Sequence, residues 1–129
     1  KVGYLEYKEK IKKTMDALDF MNDPEATDKM EELKAMDIAC DAVIILGERY
    51  HDLALEMAEK EADPVRKEEL KQIAANLEVV PAHAPQTYWQ AIQLYWFTHL
   101  AVTTELNPWD AFSPGRLDQH LISYRSRNP

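Results

Sequence analysis

The chain has 129 residues, 46% of them hydrophobic and 29% charged, with a formal net charge of −8. That is the composition of a soluble globular unit of one domain at most, or of a piece of a larger one. The acidic balance, without clustered Lys and Arg, argues against a nucleic-acid binder. No run of about 18 uncharged apolar residues is present, so no membrane span is expected. The one cysteine, Cys40, can form no internal disulfide, which predicts a reducing, cytoplasmic compartment.

Only three glycines occur and no strand-like alternation persists, so the predicted class is all-α. Helix one is expected from about Gly3 to Met21, with Tyr4, Ile11, Met15 and Leu18 on one face. Asp23 is a good N-cap for the next helix, Pro24 suits its first position and Glu25 favours its dipole. Helix two is expected from Pro24 to Glu61. Leu33, Met36, Cys40, Val43, Gly47, Tyr50, Ala54 and Met57 recur at spacings of three and four, the pattern of a heptad seam. The run Ala42 to Leu46 is apolar all round, which predicts burial on several sides. Gly47 would admit a close neighbour at some cost in helix propensity.

Asp63 and Pro64 open helix three, which carries Leu70, Ile73, Ala74 and Leu77 to about Glu78. "VVPAHAPQT" reads as an extended connector, because residues before proline avoid the α region. Helix four, from about Gln86 to Glu105, has Trp89, Ile92, Leu94, Tyr95, Trp96, Phe97 and Leu100 over nearly its whole circumference. Such a helix belongs inside a large protein. An irregular stretch, "NPWDAFSPGRLDQHL", follows, with a short last helix expected over Leu117 to Tyr124. Starting at Lys1 and stopping at "SYRSRNP" without a closing element, the chain reads as a fragment of a longer polypeptide.

Several residues could carry chemistry. Glu48 and His51 have the Glu-x-x-His spacing of di-iron bundles, but such sites need two pairs and two further glutamates, so a solvated polar face is the reading. Cys40 sits on the seam with no Arg or Lys one turn away on that face, the setting of a packed thiol. His83, His99 and His120 match no zinc spacing, and the expectation is no metal and no cofactor bound by this chain. The stretch from Asn107 is harder to explain. Turn chemistry accounts for Pro114-Gly115 but not for Trp109, Asp110, Phe112 and Arg116 together, so the loop is a candidate functional element as well as a turn.

The passages "ACDAVIILGERYHDLALEMAEKEADPVRKEEL", "VPAHAPQTYWQAIQLYWFTHLAVTTELN" and "SPGRLDQHL" resemble the pyruvate formate-lyase-like domain of the glycyl radical enzymes over essentially the whole chain. The likeness is to the glycerol dehydratase, choline lyase and arylacetate decarboxylase branches. The resemblance implies that residues 1–129 are the N-terminal helical part of an α/β-barrel enzyme several times longer. It implies an anaerobic radical lyase, or a formate acyltransferase, acting on a small organic substrate. In that family a glycyl radical, installed by a radical S-adenosylmethionine activating enzyme, oxidises a cysteine that takes a hydrogen atom from the substrate. No glycine here lies in an Arg-Val-x-Gly-Tyr context and Cys40 matches no catalytic loop, so no catalytic residue is expected in this chain, and alone it should be inactive. The remaining partners implied are the rest of the parent polypeptide and the substrate, with room for a homodimer.

In diol-dehydrating members the loop before "S-x-GR" reaches the substrate. The matching positions supply the candidate substrate contacts: Asp110 for a polar group, Trp109 and Phe112 as an apolar wall, and Ser113. The passage departs from the His-Ser found in those members, which argues against a diol. A second class of function is a stand-alone helical interaction module using the aromatic face of helix four.

Overall fold

A computed structural model of the chain describes residues 2–105 and 115–124. Among them are five helices and no strand: α1 (Tyr4–Asp16), α2 (Ala26–Lys60), α3 (Pro64–Leu77), α4 (Tyr88–Glu105) and α5 (Leu117–Ile122). The long α2 is the spine. It packs most extensively on α3 and then on α1, with α4 lying across α2 and α3.

α1 begins where the connector after α3 passes beneath it. The amides of Tyr4 and Leu5, two of the donors a helix start leaves open, donate to the carbonyls of Pro81 (3.0 Å) and Ala82 (2.9 Å). The Gly3 amide donates to Glu6 Oε2 at 2.7 Å. α1 stops at Asp16, five residues short of the expected Met21. The Asp19 carboxylate accepts from the amides of Met21 (3.0 Å) and Asn22 (3.1 Å), a local turn that competes with helix. Lys8 ties α1 to α2, its ammonium 2.8 Å from both Asp37 and Asp41.

The seam of α2 is half as expected. Cys40, Gly47 and Ala54, one heptad apart, are buried, with Ala58 beside them, whereas Met36, Tyr50 and Met57 are exposed. The expectation that the middle of α2 is buried on several sides is corrected too. Val43, Ile44 and Leu46 are half-buried and Ile45 is exposed, because α1, α3 and α4 leave other sides of the helix uncovered.

Asp63 caps α3 as its sequence position implies, its Oδ1 accepting from the Val65 amide at 2.9 Å. The following residues turn tightly and are not extended. The Val79 and Val80 amides both bond to the Asn76 carbonyl, and His83 N donates to Val79 O at 2.7 Å. Val80 is fully buried and the Val80–Pro81 peptide is cis. α4 starts with a reciprocal cap. Thr87 Oγ1 accepts from the Gln90 amide (3.2 Å), and Gln90 Oε1 accepts from the amides of Gln86 (2.8 Å) and Thr87 (3.4 Å).

One polar cross-link joins α3 to α4 inside apolar packing. The Gln93 side chain accepts from Asn76 Nδ2 (3.0 Å) and donates to the Ile73 carbonyl (3.0 Å), and both amide residues are buried. Gln93→Leu keeps the bulk but strands the Asn76 donor. The expected cost is about 1–3 kcal/mol, the penalty for one unsatisfied buried group, read as a lower urea midpoint. A midpoint equal to wild type would show that the cross-link is dispensable.

Candidate functional site

The candidate contacts Trp109, Asp110, Phe112 and Ser113 lie outside the described residues, between the end of α4 and the turn before α5. The flanks of that stretch are defined. On the far side, Gly115 has φ 68°, a left-handed conformation that favours glycine. Arg116 then forks onto Asp118, with Nε 3.2 Å from Oδ1 and Nη2 2.9 Å from Oδ2. The Arg116 guanidinium holds the Asp118 carboxyl below the usual carboxylate range.

On the near side, the middle turns of α4 carry an aromatic cluster. The His99 ring stacks on Tyr95 (centroids 6.0 Å, 24° between planes) and lies 5.8 Å from Trp96. Thr98 Oγ1 is 3.1 Å from the Tyr4 hydroxyl, which joins the start of α1 to α4. Burial raises the Tyr4 phenol above its ordinary range. A cavity of about 240 Å³ separates α4 from α5, with Leu94, Tyr95, Leu117, His120 and Tyr124 among its walls.

The remaining candidates are scattered. Glu48 is exposed, and His51 points its Nδ1 at Asp52 (3.0 Å) and its Nε2 toward Glu78 (3.9 Å). Among the described residues no three His, Cys, Asp or Glu side chains are grouped to hold a metal. His83 is exposed on the connector and His120 on α5.

Cys40 is buried, 8% exposed, and burial pushes its thiol up. Lys8 pulls the other way, a neighbour that α2 periodicity could not reveal because it comes from α1. With little thiolate at neutral pH, Cys40 should label slowly with a thiol reagent, and Cys40→Ala should lower stability more than it changes activity. Fast labelling of the folded protein would contradict this.

Two features went unread in the sequence. The Thr87-x-x-Gln90 spacing is a capping box that marks the start of α4. Gln93, a lone polar residue amid apolar neighbours, could have been flagged as needing a buried partner.

The family described as Pyruvate formate lyase-like matches residues 1–128. Trans-4-hydroxy-L-proline dehydratase of Clostridioides difficile is 55% identical over 128 residues, 99% of this chain and 16% of that protein. Isethionate sulfite-lyase of Desulfovibrio desulfuricans is 38% identical over 124 residues, 96% of this chain and 15% of that protein. Among solved structures, the hydroxyproline dehydratase from Clostridioides difficile with trans-4-hydroxy-L-proline bound superposes with TM-score 0.92 at 55% identity, over 98% of this chain and 16% of its own. The glycerol-bound B12-independent glycerol dehydratase from Clostridium butyricum gives TM-score 0.89 at 29% identity, over 99% of this chain and 16% of its own. The chain thus spans about one sixth of the length of these relatives, and it belongs to the pyruvate formate lyase-like family of glycyl radical enzymes.

Proposed function

We propose that residues 1–129 are the N-terminal helical part of a longer glycyl radical dehydratase whose substrate is trans-4-hydroxy-L-proline or a close analogue. The observation that carries this reading is the 55% identity to the hydroxyproline dehydratase, against 38% for an isethionate sulfite-lyase over nearly the same residues. The departure from the His-Ser of the diol enzymes before "SPGR" agrees with it. Asp110 pairs with the ammonium of the amino acid, Trp109 and Phe112 flank the methylene face of its ring, and Ser113 bonds a polar substituent.

The radical chemistry belongs to the rest of the polypeptide. What supports this is sequence context: none of Gly3, Gly47 and Gly115 lies in an Arg-Val-x-Gly-Tyr setting, and Cys40 lies within α2. A partner activating enzyme installs the glycyl radical, which supplies hydrogen-atom abstraction. The contribution of this segment is to hold and orient substrate in a cytoplasmic, anaerobic enzyme.

Substrate binding needs no radical, so the unactivated longer polypeptide serves as the test. Trans-4-hydroxy-L-proline should raise its thermal midpoint dose-dependently, whereas isethionate and glycerol should not. An equal shift with isethionate, or none with hydroxyproline, would overturn the substrate assignment.

A further inference from the structure

α4 is apolar over nearly its whole circumference, so hydrophobic burial alone sets no preferred rotation about the helix axis. Directional bonds do set one. Gln93 bonds Asn76 and the Ile73 carbonyl of α3, and Thr98 Oγ1 lies 3.1 Å from the Tyr4 hydroxyl of α1. At 3.6 residues per turn, the five positions from Gln93 to Thr98 place these side chains about 140° apart around the helix. One bond therefore grips the flank toward α3 and the other the flank toward α1. Tyr4 is itself well held: its amide donates to the Pro81 carbonyl at 3.0 Å, and its ring lies 6.2 Å from that of Tyr7. Tyr4 and Thr98 are both half-buried, which shields their bond from competing water. About two turns beyond Thr98, α4 ends at Glu105, and the chain runs on into Trp109, Asp110, Phe112 and Ser113.

We propose that Tyr4 is a positioning residue for substrate binding: its hydroxyl, through Thr98, fixes the rotation of α4 and so the placement of the substrate contacts that follow this helix. The proposal rests on the reading above that those contacts belong to the substrate site. A site must hold its contacts to within about 0.5 Å, so a small rotation of the supporting helix is felt in affinity. Tyr4→Phe removes the hydroxyl and keeps the ring. Thr98 can then return its own hydroxyl to the carbonyl one turn back, so the variant folds. Thr98→Val removes the other partner of the same bond and keeps the shape.

Two measurements on the longer, unactivated polypeptide test this. The first is the Kd for trans-4-hydroxy-L-proline. It should rise about fivefold in Tyr4→Phe and in Thr98→Val, the equivalent of one neutral hydrogen bond. It should rise no further in the double variant, because both substitutions remove the same bond. Cys40→Ala, which loosens packing elsewhere, should leave Kd unchanged. The second is hydrogen exchange without ligand. The amides of residues 99–105 should exchange faster in Tyr4→Phe and Thr98→Val and at the wild-type rate in Cys40→Ala. Unchanged Kd in either single variant, multiplying effects in the double variant, or an equal rise in Cys40→Ala would each overturn the proposal. If the wild-type chain binds no hydroxyproline, the substrate assignment fails by itself and exchange decides whether Tyr4 holds α4. Faster exchange in the two single variants upholds that hold, and unchanged exchange overturns it.

Discussion

Asp110→Asn in the longer polypeptide is expected to leave folding nearly intact and to lower kcat/KM for trans-4-hydroxy-L-proline by about ten- to a hundredfold. That is the loss corresponding to about 1.5–3 kcal/mol for one hydrogen bond to a charged group. The size follows from the chemistry of the pair. In the proposed role the Asp110 carboxylate bonds an ammonium, and a hydrogen bond between two charged groups is stronger than one between neutral groups. The amide of Asn keeps the shape and one acceptor but loses the charge. A structural Asp110 would give the opposite pattern, with reduced stability and KM little changed. Wild-type kinetics together with wild-type stability would remove Asp110 from both roles.

Gly3→Val is expected to destabilise the fold by about 1–3 kcal/mol, the usual cost of forcing atoms into a filled space, and to loosen α1 from the connector. The Gly3 backbone, at φ −102° and ψ −174°, is extended and open to any residue, so the effect is one of space alone. A Cβ there would overlap the backbone of His83 and Ala82, atoms that cannot rotate away. The hydrogen bonds from Tyr4 and Leu5 to Pro81 and Ala82 depend on that approach. Gly47→Ala should cost less. Its Cβ would press on Pro81 Cδ, an atom tied to the backbone nitrogen and unable to rotate away, but it meets one such atom where Gly3 meets several, and a helix gains about 1 kcal/mol when Gly becomes Ala. Urea midpoints for the two variants, measured side by side, should therefore rank Gly3→Val below Gly47→Ala. The reverse order would show that the α1–connector contact is not tight.

The helices were legible where local chemistry marks their ends. Asp63-Pro64 set the start of α3 to the residue, and the lower bounds of α2 and α4 fell within two residues of those expected. α1 was overextended because apolar spacing continues through Leu18, while the turn that stops it is made by the Asp19 side chain. Periodicity also left the two halves of the α2 seam indistinguishable. Met36, Tyr50 and Met57 repeat as regularly as Cys40, Gly47 and Ala54, and only the placement of α1, α3 and α4 decides which row is covered. Lys8 beside Cys40 and Gln93 beside Asn76 are contacts between distant parts of the chain, invisible to any single-helix pattern. The family was legible in the connector and in "SPGRLDQHL", where prolines and paired polar residues carry more information than a helix face does. The roles of Trp109, Asp110, Phe112 and Ser113 rest on that likeness and on residue chemistry.

Turnover tests the account most directly. The longer polypeptide, activated anaerobically by its radical S-adenosylmethionine partner, is given trans-4-hydroxy-L-proline and isethionate in separate reactions, and the products are identified by mass spectrometry. Hydroxyproline is expected to lose one molecule of water and isethionate to be left unchanged. Release of sulfite from isethionate, or hydroxyproline recovered intact from an enzyme shown to carry its radical, would contradict it.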